Sequence, residues 1–96
     1  MSMRTANKSA QQSDDVLSQT EYRDRLDDLP PSAKLVAKVL EIDAPLSQGE
    51  LATETLLPDR TVRYALNRLE DEEIVGARYS FRDARKQVYY LNTSHT

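Results

Sequence analysis

The apolar positions along the chain change period in a fixed order. From Asp14 to Leu29 only Tyr22, Leu26 and Leu29 recur at i, i+4, i+7, among dense Asp, Glu and Arg. That spacing predicts a helix with one thin apolar stripe. A helix that buries so little must pack on the rest of the domain or on a second subunit, which makes Tyr22, Leu26 and Leu29 the candidate dimer contacts. Pro30-Pro31 breaks it. A second helix opens at Pro31 or Ser32, with Leu35, Val36, Val39 and Leu40 as its apolar face and Lys34, Lys38 and Glu41 in water. It ends before Ala44-Pro45. Ser47-Gln48-Gly49-Glu50 has the spacing of a capping box and starts a short helix that turns Leu51 and Ala52 inward and ends near Thr55.

After the turn Leu56-Leu57-Pro58, the strongest helix of the chain starts at Pro58 or Asp59. Val62, Ala65, Leu66 and Leu69 fall at i, i+3, i+4, i+7 on one narrow face. Arg60, Tyr64, Asn67 and Asp71 lie opposite, flanked by Arg63 and Arg68. Beyond Glu73 the period becomes two. Ile74 to Phe81 reads as a strand in which Val75, Ala77, Tyr79 and Phe81 alternate with Gly76, Arg78 and Ser80. Arg82 to Arg85 is turn-like, and Lys86 to Leu91 is a second strand. Residues 1–13 are polar and aperiodic and predict a disordered tail; 93–96 predict a frayed one. The domain expected is 14–92.

Two short helices joined by a tight turn make a helix-turn-helix, and a hairpin directly after them makes a winged helix. The expected fold is therefore mainly α with a β-hairpin (α+β), a winged helix-turn-helix. The major groove of B-DNA admits one helix, the fork of arginine matches the two acceptors of guanine, and the asparagine amide matches adenine. Arg60, Thr61, Arg63, Tyr64, Asn67 and Arg68 supply those residue types on the outward and flanking positions. On this reading Arg63, Tyr64 and Asn67 reach base edges, and Arg60, Thr61 and Arg68 hold phosphates. The wing places an arginine on phosphate or in a narrow minor groove. A solvated Arg-rich face explains the helix alone equally well; the capped helix before it and the basic hairpin after it favour the winged helix. Such folds also serve as protein-interaction modules, which is the alternative function.

Composition narrows the rest. The 96 residues allow one domain. There is no cysteine, hence no disulfide or thiolate metal site, and the one histidine, His95, lies in the tail. No phosphate loop, nucleophile with a base, or metal-ligand set is present, so neither an enzyme nor a cofactor is expected. No apolar run spans a bilayer and the N-terminus carries no signal peptide, so the expected location is cytoplasmic.

The net charge of −3 argues mildly against nucleic acid, but its distribution does not. Four acids cluster at Glu70 to Glu73. Outside that cluster, Arg60, Arg63, Arg68, Arg78, Arg82, Arg85 and Lys86 face only Asp59 and Asp83 in residues 55–96. Arginines outnumber lysines nine to four in a net acidic chain, a balance expected of proteins adapted to high salt.

Leu46 to Asn92 resembles the winged-helix core of the MarR family of transcriptional regulators and similar small (halo)archaeal regulators. Leu46-Ser47-Gln48-Gly49-Glu50-Leu51-Ala52 and Arg60 to Glu70 carry the helical part of the match. The family's D-x-R-x5-L-T wing pattern falls on Asp83, Arg85 and Leu91, with Asn92 in place of the threonine. The resemblance implies a homodimeric regulator of double-stranded DNA. Its wing would contact DNA through Arg85, with Arg82 and Lys86 beside it, and Asp83 would hold the Arg85 guanidinium by charge-assisted hydrogen bonds. Two positions depart from the family: Glu73 stands where glycine is frequent at the helix end and Pro58 where a capping serine is common; the C-terminal helices that build the family's dimer are not expected after the wing. The family's small-molecule pocket lies near that interface, so the resemblance names no effector here.

Overall fold

The computed structural model describes residues 16–93; the tail expected over 1–13, residues 94–96 and with them His95 lie outside the described residues. The element order is α1 (Gln19–Asp27), α2 (Pro31–Asp43), β1 (Leu46–Ser47), α3 (Gln48–Thr55), α4 (Asp59–Asp71), β2 (Val75–Tyr79) and β3 (Gln87–Leu91). This is a winged helix, with the helices packed around a three-stranded antiparallel sheet of order β1-β3-β2.

Helix α1 is shorter than its pattern predicted, because its start is set by a cap. The Ser18 hydroxyl accepts from the Glu21 amide at 3.1 Å while the Ser18 amide donates to Glu21 Oε1 at 2.9 Å. That amide contact, followed by the hydroxyl, holds the Glu21 carboxyl below its ordinary range. Tyr22, Leu26 and Leu29 are 3%, 6% and 5% exposed and belong to the chain's own core. Of the two partners expected for this stripe, the rest of the domain is the one observed. These three residues are enclosed by their own chain, and so are not a free surface for a second copy. The Tyr22 hydroxyl donates to the Glu41 carboxylate of α2. Burial first, and then this bond, push the Tyr22 phenol well above its ordinary range.

Helix α2 opens with Pro30 at its cap and Pro31 inside the first turn, as expected. Its buried face is Ala33, Val36, Ala37 and Leu40. Leu35, expected to face inward, is 40% exposed, Val39 is half-buried, and Ile42 is 86% exposed. The inner face thus combines two alanines with Val36 and Leu40. Leu40, Leu51, Val62, Leu66, Leu69 and Ile74 fill the space between α2, α3, α4 and the sheet.

Strand β3 is central. It pairs with β2 from Val75↔Leu91 to Tyr79↔Gln87, and on its other edge with the two residues of β1, Leu46↔Tyr89 and Ser47↔Val88. Strand β1 has no counterpart among the elements expected from the sequence. Thr93, expected in the frayed tail, instead bridges to Leu17, whose amide donates to the Asn92 carbonyl at 2.7 Å. Strand β2 is also shorter than predicted. Val75 is buried and Ala77 half-buried, but Tyr79 and Phe81 are 63% and 96% exposed, because the core does not extend beneath the outer half of the hairpin.

The C-terminal end of α4 turns through Glu73 at φ 61°. The Ile74 amide donates to the Leu69 carbonyl and the Glu73 amide to the Glu70 carbonyl, both at 2.9 Å. This is the paired hydrogen bonding of a Schellman motif with glutamate at the left-handed position that favours glycine. Arg25 of α1 supports it, donating to the Glu72 carbonyl at 2.7 Å and pairing with Glu73 at 3.5 Å. Left-handed backbone costs a residue with a Cβ about 1 kcal/mol or more, whereas an exposed ion pair of this length contributes ~0–1 kcal/mol. Glu73→Gly is therefore expected to raise stability by about 0.5–1 kcal/mol, checked as an upward shift of the urea midpoint with unchanged slope. A lower midpoint would mean that the Arg25 contact outweighs the backbone strain.

Candidate nucleic-acid interface

The helix pair α3–α4 is held by local chemistry at each joint. Ser47 and Glu50 form the expected capping box, with the Ser47 amide donating to Glu50 Oε1 at 2.8 Å and the Glu50 amide to the Ser47 hydroxyl at 3.2 Å. The turn after α3 passes through Leu56 at φ 63°. There the Thr55 hydroxyl donates back to the Leu51 carbonyl at 2.7 Å and accepts from the Leu57 amide at 3.2 Å. The Gln48 side chain donates to the Asp59 carbonyl at 3.3 Å, which ties the start of α3 to the start of α4. Pro58 caps α4 without a side-chain bond, and Asp59 sits in the first turn, where the helix dipole favours an acid.

All four residues predicted to face the core from α4, Val62, Ala65, Leu66 and Leu69, are buried. The periodicity therefore leaves Arg60, Arg63, Tyr64 and Asn67 exposed, with Thr61 and Arg68 half-buried beside them. Arg60, Arg63 and Asn67 make no side-chain hydrogen bond or ion pair among the described residues. Tyr64 and Arg68 are joined: Arg68 Nη1 donates to the Tyr64 hydroxyl at 2.9 Å, and its guanidinium lies 5.8 Å from the ring centroid. That pairing fixes the Tyr64 ring on the outward face and leaves the rest of the Arg68 fork open.

The acids Glu70 to Glu73 stand at the far end of this helix, which is ~20 Å long, and there the Glu73 carboxylate and the Glu72 carbonyl meet Arg25 of α1. Arg60 and Arg63 lie in the N-terminal half of α4 and the acids at its C-terminal end, with Arg68 beside them. Tyr89 of β3 is half-buried and packs against the core. Burial raises its phenol pKa, Glu70 raises it further and Arg63 opposes both.

The wing is the β2–β3 hairpin. Its loop closes with the Ser80 amide on the Lys86 carbonyl at 2.8 Å and the Lys86 amide on the Asp83 carbonyl at 2.9 Å. Asp83 Oδ1 accepts from the Arg85 amide at 3.0 Å and from Arg85 Nε at 3.4 Å. The Arg85 side chain is 92% exposed, so the carboxylate orients a guanidinium that otherwise stands in water. Arg82 is exposed, its amide bonded to the Ser80 hydroxyl at 3.1 Å. Lys86 is placed differently from Arg82 and Arg85. Its ammonium lies 3.1 Å from Glu50 Oε2, binding the base of the wing to the α3 cap. The Ser47 amide first, and then Lys86, hold the Glu50 carboxyl below its ordinary range.

Arg78, Tyr79 and Phe81 are exposed on the wing and lie outside the set of sequence candidates. The sequence signal for Arg78 is its place in the locally basic block, while the alternation assigns Tyr79 and Phe81 to a buried face. Among the described residues no cluster of His, Cys, Asp or Glu could hold a metal ion, and no helix is long and apolar enough to cross a membrane.

Residues 38–75 match a family model described as winged helix-turn-helix DNA-binding. No curated protein sequence matches the chain. The fold is similar to that of BpsR from Bordetella bronchiseptica, whose DNA binding is regulated by 6-hydroxynicotinic acid, at TM-score 0.64 and 18% identity over 76% of this chain and 59% of that one. It is similar to MepR from S. aureus, solved in complex with DNA, at TM-score 0.62 and 18% identity over 76% of this chain and 62% of MepR. A third similar structure is the transcriptional regulator Tm0710 from Thermotoga maritima, at TM-score 0.63 and 21% identity over 76% of this chain and 53% of Tm0710. The chain thus spans between about half and three-fifths of the proteins it resembles in fold.

Proposed function

We propose that the chain is a sequence-specific regulator of transcription of the MarR-like type, binding double-stranded DNA as a homodimer. The observation that carries this reading is the row of exposed Arg60, Arg63 and Asn67 on the second helix of a helix-turn-helix, with no side-chain hydrogen bond or ion pair among the described residues. Helix α4 lies in the major groove, where Arg63, Tyr64 and Asn67 read base edges and Arg60, Thr61 and Arg68 hold phosphates. Arg85, oriented by Asp83, and Arg82 contact the adjacent minor groove or backbone; Lys86 contributes through the wing base. One recognition helix reads a short half-site, and two-fold symmetry would give a palindrome with half-sites about one helical turn apart. The family match over residues 38–75 and the similarity to a protein solved on DNA support the same class of partner.

The excess of arginine over lysine in a net acidic chain supports a high-salt setting of the haloarchaeal kind. The test is selection of double-stranded DNA from a random pool at moderate and at high potassium chloride. A palindromic consensus is the expected result. An asymmetric consensus would remove the dimer. No enrichment at either salt would favour a protein-interaction module instead.

The wing has its own expectation. Arg85→Ala should weaken binding on every sequence and reduce the slope of log affinity against log salt by about one, since one phosphate contact is lost. Titrations by fluorescence anisotropy at several salt concentrations read this directly. An unchanged slope removes Arg85 from the phosphate contacts.

A further inference from the structure

The wing tip carries an aromatic group that neither the core nor the assigned DNA contacts use. Phe81, the chain's single phenylalanine, is 96% exposed, more than any other large hydrophobic among the described residues. It follows Tyr79, itself 63% exposed. The Arg78 guanidinium sits 5.2 Å from the Phe81 ring centroid, so the ring is braced from one side by a cation. Around it the charge is nearly all positive. From residue 78 to 86 the chain holds Arg78, Arg82, Arg85 and Lys86 against Asp83; Asp83 is paired with Arg85 and Lys86 with Glu50, which leaves Arg78 and Arg82 without an ion pair among the described residues.

We propose that Phe81, braced by Arg78, is a DNA-contacting residue of the wing that packs its ring into the minor groove beside Arg85. The inference rests on the DNA-binding reading above. The surroundings select the occupant, since an apolar ring set among guanidinium groups is complementary to a polyanion that also presents apolar surface. The minor groove does both: its walls are sugars between two phosphate rows, and apolar side chains are among those that wedge between base steps there. Arg78 holds the ring against the hairpin.

An apolar contact releases no counterions, so its energetic signature differs from that of the arginines. The experiment compares wild type, Phe81→Ser, Phe81→Leu and Arg85→Ala on a labelled duplex of about 30 base pairs carrying the enriched sequence, long enough for two half-sites. Phe81 is exposed, so the variants should melt with the wild type, which thermal denaturation checks. Phe81→Ser should bind about tenfold or more weakly with the wild-type salt slope, and Phe81→Leu should recover part of the loss because leucine also wedges. Wild-type affinity in Phe81→Ser overturns the proposal while leaving the DNA-binding reading intact. So does a loss accompanied by a shallower slope, which would make the effect electrostatic. Failure of the wild type to bind any selected duplex overturns the DNA-binding reading, and this inference with it.

Discussion

Leu69→Ala is expected to remove ~2–5 kcal/mol of stability. Leu69 is 0% exposed, lies on the buried face of α4, and its carbonyl accepts the Ile74 amide that closes the helix end. Truncation leaves a cavity between α4 and its neighbours that rigid helices cannot fully close. A domain of this size has a total stability of order 5–15 kcal/mol, and each kcal/mol moves the melting temperature by roughly 4–8 °C. The midpoint should fall by about 10 °C or more on this basis, read by circular dichroism. Leu35→Ala is the control. At 40% exposure on the outward side of α2, Leu35 should cost far less to truncate. Equal losses at the two positions would contradict the assignment of the core.

Arg63→Ala should act on recognition and not on folding. The Arg63 side chain is exposed and makes no hydrogen bond or ion pair among the described residues, so its removal leaves the fold unchanged. If it donates both arms of its fork to guanine, the loss at the preferred site is ~1–3 kcal/mol, and the preference at that base pair relaxes. Repeating the selection with the variant separates this from a phosphate contact, whose loss would weaken binding evenly. An unchanged consensus excludes Arg63 from base reading. Melting curves of variant and wild type should superimpose.

The parts of the fold that are legible in the sequence share one property: their signal is local and repeated. Helix α4 is readable because Val62, Ala65, Leu66 and Leu69 follow one helical period and all four are buried. The start of α3 is readable because Ser47 and Glu50 have the spacing of a capping box. The same Ser-x-x-Glu signal at Ser18 and Glu21 is available for α1, but the weak apolar pattern there draws the helix out too far. On α2, apolar residues occur on more than one side, so periodicity cannot show that alanines face inward and Leu35 outward. In the wing, alternation continues unbroken to Phe81, yet of those positions only Val75 is buried and Ala77 half-buried. Strand β1, at two residues, is too short to have a period.

The candidate site divides in the same way. The outward set on α4 follows from its buried set, since a helix that commits one face to the core exposes the other. Asp83 and Arg85 are two residues apart, so their pairing is a local event. The Lys86–Glu50 contact joins residues 36 apart, and Arg25 reaches the end of α4 across 47. No local rule couples positions that distant. Local sequence was enough to define the helices, the hairpin and the residues α4 turns outward, because hydrogen-bonded turns and amphipathic periods act over a few residues. Packing of the whole chain was needed to establish which apolar residues are left in water, which charges are already paired and where the acidic cluster stands relative to the basic one. Those outcomes depend on which surfaces meet, and surfaces far apart in sequence meet only in the assembled fold.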